Sequence, residues 1–159
     1  MNEIRGRVRG DGKRIAVVVS RFNEMVTERL VSGARTGLVQ QGVAESDITV
    51  IWVPGAWELP GTVRRVALSG RYDGVIALGC VLRGETPHFD YVAGEAASGL
   101  GAVAREAPVP VIFGVLTTDT PDQALARAGG KAGNKGWEAA LAGLELSDVY
   151  AQLEEDSRA

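Results

Sequence analysis

Gly74-Val75-Ile76-Ala77-Leu78-Gly79-Cys80-Val81-Leu82-Arg83-Gly84-Glu85-Thr86-Pro87-His88-Phe89-Asp90-Tyr91 sets the architecture expected of this chain. Val75 to Leu78 is an unbroken apolar run, the pattern of a strand covered on both faces, and from Phe89 an apolar repeat of helical period begins. Between them the backbone N–H groups of Arg83 to Thr86 are expected to be free to face an anion at a helix start. A doubly covered strand running into a helix belongs to a parallel α/β sheet, where ligands sit at the C-terminal ends of the strands. The stretch also holds His88, the single histidine of the chain.

Three further apolar runs lie around it: Ile15 to Val19, Ile48 to Val53, and Val109 to Leu116. Each is expected to be a strand buried on both sides. Helical stretches alternate with them over Glu24 to Gln41, Leu59 to Ser69, Phe89 to Glu106, Pro121 to Ala128, and Lys135 to Glu154. Gly42 and Gly70 close the first two helices, and Thr120-Pro121 opens the fourth with a cap followed by proline. Strict alternation requires right-handed crossovers, hence a three-layer α/β/α sandwich of flavodoxin-like type around a four-stranded parallel sheet. No linker or repeat interrupts the chain, so residues 1–159 are expected to form one domain. Ile4, Gly6 and Val8 alternate ahead of the first core strand and could form an edge strand on this sheet or a neighbour's.

The 159 residues are 45% hydrophobic, enough for a full core, and carry a formal charge of −3. Basic residues are spread along the sequence, which gives no electrostatic footprint for nucleic acid. A single cysteine excludes an internal disulfide and a cysteine-based metal framework, and with one histidine a zinc site is not expected. No run approaches the roughly 20 apolar residues that cross a bilayer, and the charged N-terminus lacks a signal-peptide core. A soluble, cytoplasmic protein without a metal is the expectation.

Parallel strands place four loops on one edge: Ser20 to Glu24, Pro54 to Glu58, Cys80 to His88, and Leu116 to Asp119. Phe22 and Trp57 are large aromatics in these loops, suited to stacking on a planar ligand or to packing on a neighbouring helix or subunit. Glu58 and Asn23 stand at helix starts, where they can cap or can hydrogen-bond the hydroxyls of a ligand. His88 sits in a first helical turn at this edge, where its ring can give and take protons. Cys80 reads as a packing residue because no second histidine could activate it. The segment Arg127 to Gly136 is rich in glycine and basic residues but fails the P-loop spacing, and a tight helix-to-helix turn accounts for its glycines. Arg127 beside that turn could still take a phosphate bidentately or remain a solvated cation.

Five blocks in order make the chain resemble the lumazine synthase family: Ser20-Arg21-Phe22-Asn23; Val53-Pro54-Gly55-Ala56-Trp57-Glu58-Leu59-Pro60; Leu78-Gly79 with Arg83 to Val92; Phe113 to Thr118; and Gln123-Ala124 through Arg127-Ala128-Gly129 to Lys135-Gly136. The resemblance spans Ile4 to about Leu153. It implies riboflavin biosynthesis: condensation of 5-amino-6-(D-ribitylamino)uracil with 3,4-dihydroxy-2-butanone 4-phosphate to 6,7-dimethyl-8-ribityllumazine, phosphate and water, with no cofactor.

Carried over by resemblance, Phe22 stacks on the pyrimidine, and Asn23, Ala56, Trp57 and Glu58 hold the ring and ribityl chain. Cys80, Val81 and Leu82 line the ring pocket through backbone groups. Gly84, Glu85 and Thr86 surround the phosphate, Arg127 neutralises it and His88 shuttles protons. Phe113 and Lys135 are implied to come from an adjacent subunit. The family forms pentamers, some stacked into shells of sixty subunits, and the uninserted Gly129 to Asn134 connection resembles the shell-forming type; riboflavin synthase is the implied candidate guest. Trp57 stands where relatives often carry phenylalanine. A pocket of this kind also suits an inactive lumazine- or flavin-binding protein, against which the joint presence of His88 and Arg127 speaks. A plain flavodoxin-like carrier fits poorly because the first strand is followed by Ser20-Arg21-Phe22-Asn23, not by a hydroxyl-rich phosphate loop.

Overall fold

A computed structural model describes residues 1–158. Strand β1 (Ile15–Ser20) leads to helix α1 (Glu24–Gln40), β2 (Ile48–Val53) to α2 (Leu59–Ala67), β3 (Gly74–Leu82) to α3 (His88–Glu106), and β4 (Val111–Thr118) to α4 (Pro121–Ala126). A short antiparallel ribbon, β5 (Ala128–Gly130) with β6 (Gly133–Asn134), then leads into α5 (Lys135–Arg158). The main sheet among the described residues is four-stranded and parallel, in the order β2-β1-β3-β4. This is a flavodoxin-like order, whose direction of winding reverses between β1 and β3 and leaves a crevice at their C-terminal ends.

Alternation along the central strands builds the layers. Ile15, Val17 and Val19 face a core with Leu30 and Leu38 of α1 and Leu144 of α5. Ala16 and Val18 face the opposite core, with Leu59 and Val63 of α2 and Leu100 of α3. The period of two in a strand therefore feeds both helical layers from one short run. The expected punctuation is present: Gly42 (φ 106°) and Gly70 (φ 74°) take left-handed conformations, and Thr120 forms a capping box with Gln123 ahead of Pro121. Among the described residues no helix is long and apolar enough to cross a membrane.

Several expectations are corrected. Only β1 and β3 are buried along both faces; Thr49, Val50 and Trp52 of β2 and Phe113 of β4 are exposed, because those strands form the sheet's edges. The fourth strand starts at Val111 instead of Val109: Pro110 has no N–H for a ladder, and its carbonyl accepts from Val75 N–H at 2.9 Å. The third strand continues through Cys80, Val81 and Leu82, which the sequence pattern assigns to the loop. Arg127 to Gly136 is a two-stranded ribbon with left-handed Gly129 (φ 107°) and Gly133 (φ 89°), not a bare turn between helices. The N-terminal arm forms no strand in this sheet: Arg7 N–H donates to the Asp148 carboxylate at 2.7 Å and the Gln152 amide donates to Arg5 O at 2.7 Å. The backbone bond from Arg7 lowers the Asp148 carboxyl below its ordinary range.

Candidate active site

The crevice at the winding reversal is built from three strand ends. Past β1, Arg21 N–H donates to Val53 O at 2.8 Å and Phe22 N–H to Pro54 O at 3.1 Å, pinning this loop to the end of β2. Phe22 consequently stands out of the sheet edge with 71% of its surface exposed. Asn23 is left-handed (φ 65°) at the start of α1, and its Nδ2 donates to Cys80 O at 2.8 Å, a bond that spans the reversal from β1 to β3.

Beyond β2, Pro54 and Gly55 lead into a 3-10 turn, Ala56–Glu58. The turn buries Ala56 and leaves Trp57 58% exposed. Glu58 precedes α2 without making a side-chain capping bond, and neither does Asn23 ahead of α1. The capping alternative therefore falls away for both. Asn23 has instead committed its amide donor to the protein, which leaves its Oδ1 for a ligand hydroxyl.

These loops, the end of β3 and the first turn of α3 enclose a cleft of about 500 Å³. It gathers Phe22, Asn23, Ala56, Trp57, Glu58, Cys80, Val81, Leu82 and His88. Its lining is mainly apolar with a few convergent polar groups, the usual character of a small-molecule site. Burial pushes the Cys80 thiol up to about 11, so the sulfur is protonated and inert near neutrality and serves as wall.

Sequence reasoning missed Pro54, Gly55, Phe89, Tyr91 and Val92, which also line the cleft. The signal was available: Phe89, Tyr91 and Val92 lie one, three and four residues after His88, so helical geometry brings them round the same first turn.

The anion-facing turn differs from expectation in one residue. Arg83 N–H is taken by Thr118 O at 2.9 Å. Gly84, Glu85 and Thr86 lie exposed beside the cleft, and their amides have no acceptor among the described residues. Arg127 does not line the same cleft as His88. It lies in an adjoining one of about 490 Å³ with Arg83, Thr117, Thr118, Asp119 and Gln123; Phe89 lines both. The Arg127 guanidinium makes only a loose 3.9 Å pair with Glu138. Phe113 lies in a separate groove against Ala97 and Leu100 of α3. Lys135 opens α5, donating its N–H to Arg127 O at 2.7 Å, and lines none of these cavities.

Comparison with known proteins adds two findings. The sequence model of the 6,7-dimethyl-8-ribityllumazine synthase family matches residues 12–151, a span containing every cleft residue. A 6,7-dimethyl-8-ribityllumazine synthase of Gemmatimonas aurantiaca is 59% identical over 150 residues, covering 94% of this chain and 92% of the relative.

Proposed function

The chain belongs to the 6,7-dimethyl-8-ribityllumazine synthase family, and from that premise we propose how its two adjoining clefts divide the reaction. The protein is a transferase of riboflavin biosynthesis that makes 6,7-dimethyl-8-ribityllumazine from 5-amino-6-(D-ribitylamino)uracil and 3,4-dihydroxy-2-butanone 4-phosphate. The cleft lined by Phe22, Trp57 and His88 takes the pyrimidine. The carrying observation is that Phe22 and Trp57, both more than half exposed, flank one apolar cleft with Glu58, Asn23 and His88.

In this reading Phe22 stacks on the heterocycle, while Ala56, Trp57, Glu58 and Asn23 Oδ1 hold ring and ribityl hydroxyls. Cys80, Val81 and Leu82 form the floor. The phosphate of the second substrate is held by the open amides of Gly84, Glu85 and Thr86 and by Arg127 across Phe89. An anion fits that position because the amides precede α3 and the α3 dipole adds to them. An amine attacks a carbonyl, phosphate leaves by elimination, and ring closure loses water. His88, on the cleft wall in the first turn of α3, carries the protons.

Phe113 and Lys135 belong to the site of an adjacent subunit, in a pentamer or a sixty-subunit shell. Two facts support this: both lie away from the cleft of their own protomer, and the outer edges of β2 and β4 are unpaired among the described residues. The N-terminal arm then becomes the strand that covers a neighbour's edge. A cytoplasmic location accords with a lone buried thiol, and riboflavin synthase is the natural guest of a closed shell.

The test is phosphate release with both substrates present. Alignment of two substrates supplies roughly 7–11 kcal/mol of a barrier, whereas one proton-transfer group gives about 10²–10⁴ in rate. His88→Ala therefore slows turnover while leaving measurable activity, and Arg127→Ala does greater harm through the second substrate. The reverse order of damage refutes this division, and binding of the pyrimidine without any phosphate release by the wild-type protein refutes the catalytic reading in favour of a binding protein.

A further inference from the structure

The cleft around Arg127 contains a second guanidinium to which the proposed reaction gives no role. Arg83 follows β3 directly and reaches the end of β4, the loop after it and α3 at once. Its N–H is fixed to Thr118 O at the end of β4, and its Nε donates to Asp119 Oδ1 at 2.8 Å. Its Nη1 lies 3.7 Å from Asp90 Oδ1 in the first turn of α3, and its guanidinium covers the Phe89 ring at 4.5 Å from the centroid. Phe89 is the residue shared by the two cleft walls.

Charge makes this arrangement consequential. Around Arg127, the cleft is lined by two guanidinium groups and the Asp119 carboxylate. Without Arg83, Arg127 would face Asp119 alone, and Asp90 would lose its nearest cation. A doubly charged phosphate monoester would then enter a cleft with no net positive charge and an uncovered carboxylate in its wall. Arg83 has its Nε committed to Asp119, whereas Arg127 makes only the loose pair with Glu138, so Arg127 is the freer guanidinium for the phosphate. A planar guanidinium suits both roles, because its edge satisfies a carboxylate while its face lies on an aromatic ring, which an ammonium cannot do in one geometry.

The geometry points to Arg83 as a positioning residue for the phosphorylated substrate: it neutralises Asp119 beside Arg127 and braces Phe89, the ring that lines both clefts. This rests on the assignment of Arg127 to the phosphate, and the two ideas fail differently. The experiment is steady-state kinetics of the assembled enzyme, varying each substrate in turn, for Arg83→Ala, Asp119→Asn, the double variant and Arg127→Ala, at low and high salt.

Arg83→Ala is expected to raise KM for the phosphorylated ketone about five- to tenfold, the exposed-pair value scaled to a dianion. KM for the pyrimidine stays within about twofold, and the effect shrinks at high salt, as expected for exposed charges. Adding Asp119→Asn to Arg83→Ala brings the ketone KM most of the way back, a rescue that a purely structural loss would not show. Asp119→Asn alone lowers the ketone KM by freeing Arg83, and this arm stands even if Arg83→Ala folds poorly. Equal damage in the single and double variants, a fall in kcat with unchanged KM, or a higher ketone KM in Asp119→Asn overturns the proposal. If Arg127→Ala leaves the ketone KM unchanged, the phosphate assignment itself is what fails.

Discussion

Removing the Asn23 side chain is the sharpest test of how the cleft is held open, because two separable costs meet at one residue. Asn23 is the sole residue other than glycine with positive φ among the described residues (φ 65°), and its amide donates to Cys80 O at 2.8 Å. Alanine forfeits the hydrogen bond and strands a partly buried carbonyl, at about 1–2 kcal/mol. It also places a Cβ in the left-handed region, which asparagine tolerates and alanine does not, at roughly 1 kcal/mol more. Asn23→Ala is thus expected to lose about 2–3 kcal/mol, which at this chain length lowers the melting temperature by about 5–10 °C. Asn23→Gly relieves the backbone cost but not the lost donor and falls between wild type and Asn23→Ala. Asn23→Asp keeps the shape while turning an acceptor toward a carbonyl, so it is expected to be as damaging as alanine.

The assay is denaturant unfolding of the variants at one protein concentration, read beside KM for the pyrimidine. That KM rises in Asn23→Ala and Asn23→Asp as the loop carrying Phe22 loses its tie to β3. An Asn23→Gly variant no better than Asn23→Ala would refute the strain component. A wild-type-like Asn23→Asp would refute the hydrogen bond as a stabilising contact.

Cys80, with its thiol raised by burial from an ordinary 9.0 to about 11, should react with a thiol reagent at a rate that keeps climbing through pH 9 instead of levelling there; a plateau near 9 contradicts the burial. Because the folded state holds that proton more tightly than the unfolded state, its contribution to stability is complete below pH 9.0 and lost as pH rises towards about 11. Gly136→Ala puts a Cβ onto the Leu30 carbonyl where α5 crosses α1, and because the obstacle is backbone, about 3 kcal/mol of stability should be lost. In α2, Gly61 has open space around a built Cβ, so Gly61→Ala should gain up to about 1 kcal/mol in the same unfolding assay.

The central strands were legible because both their faces are covered: Ile15 to Val19 and Val75 to Leu78 read as continuous apolar runs and are buried as such. The edge strands were not distinguishable from them. Ile48 to Val53 is equally apolar, yet Val50 and Trp52 are exposed, since strand order is a property of the crossovers and not of one strand's composition. The sequence pattern ends the third strand at Leu78, and the structure shows otherwise. A Cβ at Gly79 would meet Ser20 Oγ at 3.0 Å and Leu59 Cδ1 at 3.2 Å, so the glycine permits close packing in the middle of β3 and the strand runs on to Leu82.

The same distinction governs the site. Phe22, Asn23, Ala56, Trp57, Glu58, Cys80, Val81, Leu82 and His88 follow or end parallel strands, and parallel register alone brings such residues to one edge. Arg127, Phe113 and Lys135 lie outside the main cleft, and the roles proposed for them depend on something no single strand dictates. For Arg127 it is Phe89, which lines both neighbouring clefts. For Phe113 and Lys135 it is the second protomer of the proposed assembly. An exposed phenylalanine on an edge strand, over a groove of small α3 side chains, is poorly accounted for by the protomer's own core. Seated against a neighbour's cleft, it would close the open side that Phe22 and Trp57 leave to solvent, so chemistry and assembly would draw on the same apolar surface.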